Sequence, residues 1–375
     1  MKQDYNVCKR CVMDNTIPRV TFDRNGICSE CTKFDVNNRN SPNYDGRGIA
    51  KLEKIIATIR NKGNGKKYDC IVGLSGGVDS SYVLYLVCKY GLRPLVVHMD
   101  NGWNSEVSEL NIKKIVERLE VNMHTFKLNW DEFKDLQLSF LYSSTPHCEH
   151  PTDHAILSVI YKLAAENDIE YIISGSNIST EGIAVSTGSI GQRDWKYIKS
   201  IHDKFGSKKL REYPHFSMID MFYYKVVKKQ KTINILNYID YNKDKVMKFL
   251  KEEFDWEYYG GKHYESVYTR FFQAYILPRK FNIDKRKAHF SSLIVSGQID
   301  RDTAILELEK DPYPKELLEN DKKLFLNKLE LTNEEFDIIM NLPVKKFEDY
   351  PSYEKSYLIK LLRKIYLIVK PIFKF

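Results

Sequence analysis

The sequence predicts an α/β protein with a parallel sheet, preceded by a small zinc ribbon and followed by a helical carboxyl-terminal region. Short apolar stretches alternate with amphipathic helical stretches through the middle of the chain, which is the pattern of a parallel sheet covered on both faces. Four cysteines in two close pairs precede that alternation. The chain has 375 residues, 43% of them hydrophobic and 29% charged, so we expect a folded protein with more than one domain.

The cysteines predict the first unit of the chain. Cys8 pairs with Cys11 and Cys28 pairs with Cys31, and sixteen residues separate the two C-x2-C pairs. This spacing is typical of a four-thiolate zinc site. Because all four ligands would come from the protein, we expect structural Zn²⁺, with a redox role for the pairs as the alternative. We therefore place a zinc ribbon at residues 1–36.

A linker and an α/β domain follow the ribbon. Residues 37–48 are rich in Asn, Gly, Pro and Ser, which is typical of a linker. The domain is predicted over residues 49–257 and the helical region over 258–375. Predicted strands cover residues 68–74, 93–100, 123–129, 170–176 and 233–240. The polar stretches SGGVDSS, DNGW and SGSN follow three of these strands, at the sheet edge where such folds bind ligands.

The first of these polar stretches predicts a phosphate site. Gly76 and Gly77 allow the backbone to turn sharply and to approach a ligand closely. Ser75, Ser80 and Ser81 offer hydroxyl groups at the start of a helix, whose free N–H groups attract anions. The lysine of a Walker A loop is missing, so a phosphate chemistry different from that of kinases and GTPases is expected.

The stretch SGGVDSS resembles the PP-loop of ATP pyrophosphatases, the adenine nucleotide alpha hydrolase-like enzymes that cleave ATP between its α and β phosphates. The resemblance implies an ATP and pyrophosphate site made of Ser75, Gly76, Gly77, Asp79, Ser80 and Ser81. It implies Mg²⁺ near Asp79, catalytic roles for Asp79 and Ser80, and a nucleotide pocket lined by Asp100 and Gly175.

A wider resemblance covers residues 8 to about 308. The stretches CKRCVMDNTIP, SGGVDSSYV and PTDHAI, together with residues 258–308, resemble the N-acetyl sugar amidotransferases of bacterial surface-polysaccharide biosynthesis. The resemblance implies that the acetamido oxygen of a nucleotide-activated sugar is adenylated by ATP. Ammonia then displaces AMP and leaves an acetamidino sugar, in lipopolysaccharide O-antigen or related surface-glycan biosynthesis.

Substrate and partner contacts are expected in the carboxyl-terminal region. Arginine and lysine side chains suit phosphate oxygens, although each could equally lie on a solvated helix face. The candidates for the sugar diphosphate are Lys262, His263, Arg270, Arg286 and Lys287. Lys2 stands where an amino-terminal-nucleophile glutaminase would have cysteine, so the family resemblance implies a separate glutaminase and a barrel-type ammonia-channelling subunit.

Two other functions remain open from the sequence. A tRNA-thiolating PP-loop enzyme with a zinc ribbon would suit the formal charge of +8, but it needs accessible cysteines, and only Cys148 is expected to be accessible. Because no aromatic and basic RNA motif is present, we predict no nucleic-acid partner. A zinc-bearing scaffold that binds nucleotide without chemistry is the other possibility. Cys148 with His147 and His150 could also hold a second metal.

The end of the chain combines apolar and basic residues. Residues 353–375 carry lysines and an arginine among their apolar side chains, which argues against an ordinary spanning helix. We expect a helix packed on its own domain, or a peripheral contact with an anionic membrane. The first residues have no apolar leader region, so a cytoplasmic protein is expected.

Overall fold

A five-stranded parallel sheet forms the centre of the computed structural model, which describes residues 5–185 and 191–355. The strands are β1 (Cys70–Gly73), β2 (Pro94–Asp100), β3 (Met123–Lys127), β4 (Tyr171–Ser174) and β5 (Lys231–Asn234). Their order is β3-β2-β1-β4-β5, and every neighbouring pair is parallel. The chain moves outward from β1 to β3 and then returns to β4 on the other side of β1. The loops that follow β1 and β4 therefore diverge at one edge and leave a crevice there.

Helices surround this sheet and continue beyond it. They are α1 (Ser29–Arg39), α2 (Gly48–Lys62), α3 (Val78–Lys89), α4 (Glu106–Arg118), α5 (Trp130–Tyr142), α6 (His150–Glu166), α7 (Ile178–Glu181), α8 (Trp195–Phe205), α9 (Met218–Phe222), α10 (Lys243–Phe254), α11 (Val267–Phe271), α12 (Leu277–Phe281), α13 (Lys285–Val295), α14 (Arg301–Glu309), α15 (Lys315–Leu329) and α16 (Asn333–Asn341). A π-helical turn continues α9, and another joins α11 to α12. Among the described residues, no helix has both the length and the apolar character needed to cross a bilayer.

Apolar side chains fill both faces of the sheet. Helices α2, α3, α4 and α10 share one hydrophobic core with the sheet, and α6 covers the opposite face. The predicted parallel sheet is confirmed, with one displaced strand. The prediction placed the last strand at 233–240, whereas β5 ends at Asn234 and a 3₁₀ turn follows at Ile235–Tyr238.

The cysteine-rich unit packs against the far end of the chain. Helix α1 runs three residues past the predicted end of the ribbon, to Arg39. The backbone N–H of Val12 donates to Ser291 Oγ at 3.2 Å. The Arg301 guanidinium donates to the carbonyl oxygens of Cys11 and Cys8 at 3.1 and 3.2 Å. Helices α13 and α14 therefore form the surface on which the amino-terminal unit rests.

The carboxyl-terminal helices share a core with the α/β region. Side chains of α11, α12, α15 and α16 pack in one hydrophobic cluster with those of α5 and α8. Residues 356–375, which include most of the apolar and basic segment noted in the sequence, lie outside the described residues. Helices on both sides of residue 258 therefore contribute to one shared core.

Candidate functional site

The loop between β1 and α3 is held in one tight conformation. Gly76 has a φ of +80°, and a Cβ at this position would lie 2.4 Å from the carbonyl oxygen of Ser108, so glycine is required. Gly77 caps α3 with extended backbone. The hydroxyl oxygens of Ser75 and Ser80 lie 3.1 Å apart, and the Gly77 N–H donates to Ser75 Oγ at 3.3 Å. The loop thus presents hydroxyls and N–H groups at a helix start.

Asp79 lies directly behind this loop. Its carboxylate accepts a hydrogen bond from the hydroxyl of Tyr241. Burial raises the pKa of Asp79, and the hydrogen bond from Tyr241 opposes that rise, while nearby Glu181 adds to it. A Cβ on Gly175 would lie 3.2 Å from Asp79 backbone and side-chain atoms, so Gly175 lets β4 approach α3 closely. Ser81 is fully buried, and its hydroxyl has no hydrogen-bond partner among the described residues.

A small polar cavity, which we call the loop cavity, opens over these residues. It measures about 170 Å³ and is lined by Ser75, Gly77, Val78, Asp79, Ser80, Gly175, Ser176, Thr180, Glu181, Lys243, Tyr259, Lys262, His263 and Glu265. Lys243 and Lys262 supply cationic side chains opposite the glycine loop. Burial lowers the pKa of Lys243, and the neighbouring Asp79 opposes that shift. The cavity therefore combines N–H groups, hydroxyls and two lysines, the donor set that suits phosphate oxygens.

A larger cavity, the strand-end cavity, adjoins the first. It measures about 400 Å³ and has an apolar floor made of Leu74, Val97, Met99, Ile156, Val159 and Ile160. Its other side is charged: the Lys285 ammonium pairs with Glu149 at 3.0 Å, and Asp153 lies nearby. Burial, with a further contribution from Glu149, raises the pKa of Asp153 to about 7. An apolar floor beside polar groups suits a nucleoside.

The third and largest cavity, the helical cavity, lies among the carboxyl-terminal helices and measures about 500 Å³. Its lining includes Tyr258, Tyr259, Tyr264 and Phe290, and the cationic side chains of Lys243, Lys262, Lys285, Arg286 and Lys310. The loop and helical cavities share Thr180, Lys243, Tyr259 and Lys262. The strand-end cavity shares Ser75, His263 and Glu265 with the loop cavity, and Gln273 and Lys285 with the helical cavity. The three cavities therefore adjoin one another, and we call them together the connected site.

Three of the five predicted sugar-site residues line this connected site. Lys262 donates to the carbonyl oxygen of Thr180 at 3.0 Å and lies 3.3 Å from the Glu181 carboxylate. His263 has a φ of +62°, and its Nδ1 lies 3.6 Å from the carboxylate of Glu265. Arg286 lines the helical cavity.

The Arg286 guanidinium is already engaged within the protein. It donates to Asp284 at 2.9 Å and to the Lys310 carbonyl at 2.8 Å. This pairing fixes the guanidinium against the wall of the helical cavity. Arg286 is therefore placed to shape that wall more than to move toward a ligand.

The other two predicted sugar-site residues lie elsewhere. Arg270 is nearly buried, pairs with Asp321 through two hydrogen bonds of 2.6 and 2.7 Å, and borders none of the three cavities. Lys287 forms an ion pair with Asp14 of the cysteine-rich unit. Both side chains therefore hold helices together, and we leave them out of the site.

Asp100 also lies apart from the strand-end cavity. Its carboxylate accepts from the Gly102 N–H at 2.9 Å and faces a separate cavity beside α4. Alternation along β2 explains this position, because Val97 and Met99 point to the strand-end cavity and Asp100 points to the other face of the sheet. Of the two residues predicted for the nucleotide pocket, Gly175 lines the loop cavity, whereas Asp100 borders none of the three cavities.

Sequence reasoning missed several residues of the site. Lys243 and Tyr241 follow β5, and Asp153 lies in the PTDHAI stretch. The signal for Lys243 was its place just beyond the carboxyl end of a predicted strand, at the same sheet edge as the glycine loop. Glu265 and Lys285 gave no local signal, because only the fold of the carboxyl-terminal helices brings them to the sheet.

The four predicted zinc ligands meet in one buried cluster. The possible ligand atoms of Cys8, Cys11, Cys28 and Cys31 all lie within 4.8 Å of one another. The Cys28 N–H donates to Cys8 Sγ at 3.3 Å, and the Cys31 N–H donates to Cys28 Sγ at 3.4 Å. Such N–H groups stabilise thiolates, and four thiolates at these distances suit a tetrahedral Zn²⁺. With every ligand supplied by the protein, the cluster fits a structural metal.

Cys148 is not accessible, contrary to the prediction. The residue is 2% exposed, and its thiol donates to the carbonyl oxygens of Phe140 and Thr145. Burial raises the pKa of Cys148, which disfavours the reactive thiolate. The neighbouring His147 places its Nδ1 3.0 Å from the hydroxyl of Tyr197. This loop packs into the core between α5 and α11.

Two protein-family models match different parts of the chain. One is described as "LPS biosynthesis protein WbpG-like, C-terminal domain" and matches residues 265–366. The other is described as "Thiamine biosynthesis protein (ThiI)" and matches residues 65–184, which include the glycine loop. Together, the two matches support a WbpG-like member of the PP-loop family. The predicted family resemblance is confirmed at this level.

Two curated proteins resemble parts of this chain. An uncharacterized protein of Methanocaldococcus jannaschii is 22% identical over 173 residues, which cover 46% of this chain and 59% of that protein. The tRNA-specific 2-thiouridylase MnmA of Ruthia magnifica subsp. Calyptogena magnifica is 34% identical over 84 residues, which cover 20% of this chain and 23% of the enzyme. The chain thus spans less than two thirds of the length of either relative.

Two solved structures overlap weakly with this chain. NMN synthetase from Francisella tularensis has a TM-score of 0.27 and 14% identity, covering 52% of this chain and 74% of the synthetase. The NH3-dependent NAD synthetase from Campylobacter jejuni subsp. jejuni has a TM-score of 0.28 and 18% identity, covering 54% and 91%. The strand order and the glycine loop described above remain the basis for the fold.

Proposed function

We propose that this protein is an ATP-dependent amidotransferase that converts the acetamido group of a nucleotide-activated sugar into an acetamidino group. The observation that carries the proposal is the connected site: a phosphate-binding loop without a Walker lysine, between a nucleoside-sized cavity and a third cavity with aromatic and cationic walls. The match to a lipopolysaccharide-biosynthesis family supports a role in surface-glycan biosynthesis. We place the reaction in the cytoplasm.

ATP would occupy the first two cavities. The base and ribose fit the strand-end cavity, and the β and γ phosphates fit the loop cavity against Ser75, Ser80 and the start of α3. Lys243 and Lys262 would balance the phosphate charge. Asp79 offers the carboxylate oxygens that Mg²⁺ prefers, and the ion would neutralise charge on the leaving pyrophosphate.

The α phosphate would then lie where the loop and strand-end cavities meet, beside His263 and Glu265. The nucleotide sugar would lie in the helical cavity, with its acetamido group directed to the shared wall at Gln273 and Lys285. The amide oxygen attacks the α phosphorus, a P–O bond forms, and the bond to pyrophosphate breaks. Preorganised donors around the phosphorus would supply most of the acceleration.

Ammonia completes the reaction. It adds to the activated carbon, a proton leaves the nitrogen, and the C–O bond breaks to release AMP and the amidine. Asp153 lies in the strand-end cavity, and its raised pKa of about 7 suits a proton acceptor near neutral pH. We propose that a separate glutaminase and a barrel-type subunit deliver the ammonia.

The experiment combines the purified protein with ATP, Mg²⁺, an ammonium salt and a panel of nucleotide-linked N-acetyl sugars. We expect AMP and pyrophosphate in equal amounts, and a sugar product in which NH has replaced oxygen, detected by mass spectrometry. Asp79→Asn should lower turnover by at least about a hundredfold, as loss of a group that stabilises developing charge does. The exposed Asp203→Asn is the control. Release of ADP and orthophosphate would contradict the proposal.

A second candidate is a tRNA-thiolating enzyme. It is favoured by the 34% identity to a tRNA-specific 2-thiouridylase over 84 residues. The burial of Cys148 argues against it, because the thiol cannot reach a substrate without local unfolding. Incubation with tRNA, ATP and a sulfur donor tests this candidate, and formation of thiolated tRNA would favour it over sugar amidination.

A further inference from the structure

One helical segment beside the edge strand β5 exposes an apolar face. Helix α9 and its π-helical turn place six large apolar side chains at the surface, on consecutive turns at i and i+4 spacing. We call them the outer apolar face: Met218 (42% exposed), Ile219 (80%), Phe222 (62%), Tyr223 (42%), Val226 (54%) and Val227 (58%). Apolar side chains are common at protein surfaces singly, but a contiguous group marks an interaction site.

The other side of this segment is firmly anchored. Met221 and Tyr224 pack into the core beneath α6, and the ring of Tyr224 stacks on Tyr161 at 5.6 Å. The buried Gln230 donates to the Tyr161 carbonyl at 3.0 Å. One side of the segment thus packs into the core. The outer apolar face lies on the other side, and its side chains are not needed to fill the core.

Charges around the outer apolar face indicate what kind of partner it binds. Residues 218–231 contain four lysines and a single acidic residue, Asp220, which is engaged in the cap of α9. The described chain ends nearby, since the backbone N–H of Met218 is within hydrogen-bonding reach of Tyr353. Residues 356–375, which follow, contain five basic and no acidic residues. A second copy of this face, or this basic tail, would bring like charges together.

We propose that residues 218–231 form a docking surface for an anionic membrane. An apolar helix face flanked by lysines is the pattern of a helix that lies in the lipid headgroup region. The apolar side chains would insert among the acyl chains, while the exposed Lys229 and Lys231 would reach the negative headgroups. Membrane docking would hold the protein at the surface where the enzymes that consume surface-glycan precursors act.

Vesicle co-sedimentation of the full chain tests this surface. We expect binding to vesicles of phosphatidylcholine mixed with phosphatidylglycerol, little binding to phosphatidylcholine alone, and weaker binding at high salt. The variant Ile219→Ser/Phe222→Ser/Val226→Ser should lower vesicle partition by at least about tenfold, because each buried apolar side chain contributes substantially to the affinity. The matched control is Leu306→Ser/Ile338→Ser, which changes apolar residues that are 61% and 59% exposed elsewhere.

Three results would overturn the proposal. Equal binding to both vesicle types would show that the lysines do not contribute to membrane binding. An equal loss in the control variant would place the contact outside this segment. A dimer in light scattering that the triple variant dissociates would assign the face to a second copy of the chain. Circular dichroism of each variant confirms that the fold is retained.

Discussion

Gly46 and Gly76 adopt nearly the same backbone conformation in different surroundings. Their φ values are +73° and +80°, but nothing lies within 4 Å of a Cβ added at Gly46, whereas one at Gly76 would meet the Ser108 carbonyl at 2.4 Å. Gly46→Ala should therefore lower the free energy of unfolding by the backbone strain alone, about 1–2 kcal/mol. Gly76→Ala should lower the free energy of unfolding further and should displace the glycine loop.

Urea denaturation and AMP formation measure the two effects. We expect both variants to be less stable than the parent, with the larger loss for Gly76→Ala, and we expect only Gly76→Ala to lose ATP cleavage. Equal free energies of unfolding for the two variants would show that the Ser108 contact does not restrict residue 76.

Asp153 makes stability depend on pH. Its pKa is raised to about 7, against about 3.9 for an unfolded chain, so the folded protein holds this proton more tightly. The stabilisation from that proton is complete below about pH 4 and is lost as the pH rises toward 7. Asp153→Asn removes the buried charge, so it should raise the free energy of unfolding by about 1–2 kcal/mol at pH 8 and leave it nearly unchanged at pH 4.

Denaturation curves across this pH range check the prediction. The difference between Asp153→Asn and the parent should grow with pH and level off above pH 7. The exposed Asp203→Asn serves as the control and should show no such growth. A difference that is constant with pH would mean that Asp153 is ionised throughout.

At the scale of single helices, strands and loops, the sequence predicted those elements that have a clear local pattern of residues. The continuous apolar runs of β1, β2 and β4 identified the parallel sheet, and the glycines and serines after β1 predicted the tight loop that is observed there. Helix α8 was missed because aromatic and charged residues obscure its period, yet Asp194 caps it and Tyr197, Ile198 and Ile201 form its buried side.

Local sequence pattern could not predict the positions of side chains that pair with residues distant in the chain. Arg270 and Lys287 looked like ligands for phosphate, but each finds a carboxylate that is distant in the chain, Asp321 and Asp14. Lys285 enters the site because the start of α13 meets the start of α6, where Lys285 pairs with Glu149, and no single segment reveals this contact. The pairing of a charged residue decides whether it is available to a substrate, and that pairing depends on the complete fold.

The cysteine-rich unit should also stabilise the carboxyl-terminal helices that it contacts. Its knuckles contact Ser291, Lys287 and Arg301 on α13 and α14. Loss of the metal should therefore loosen these helices and the cavity walls that they carry. We expect Cys11→Ser, or a strong chelator, to remove bound zinc and to lower the melting temperature by several degrees.

Elemental analysis and calorimetry measure both changes. Cys88→Ser is the control, because Cys88 is half-buried in α3 and outside the thiol cluster. It should leave the zinc content unchanged. Full zinc content in Cys11→Ser would contradict a four-thiolate site, and an unchanged melting temperature after zinc loss would contradict the structural role.

For the whole molecule, the shared cavity walls predict coupled substrate binding. Lys262 lines both the loop and helical cavities, whereas Tyr258 lines the helical cavity and not the loop cavity. Lys262→Met should therefore weaken binding of both a non-hydrolysable ATP analogue and the nucleotide sugar, by about tenfold each if one charge-assisted contact is lost. Tyr258→Ala should weaken binding of the sugar alone.

Isothermal titration of each ligand separates the two variants. Equal effects of Tyr258→Ala on both ligands would show that the cavities respond as one deformable pocket. An effect of Lys262→Met on one ligand alone would show that its ammonium serves a single subsite.

The contact between the cysteine-rich unit and α13 and α14 also has a consequence during protein synthesis. The knuckles leave the ribosome some 260 residues before the helices on which they rest, an interval of about 10–50 seconds at ordinary translation rates. Until Ile178 and Ile183 emerge, which is earlier than α13, the nascent unit has none of the later packing partners of its hydrophobic cluster. Ligation by a metal ion at that stage would hold its four thiols together, which would make zinc loading a cotranslational event.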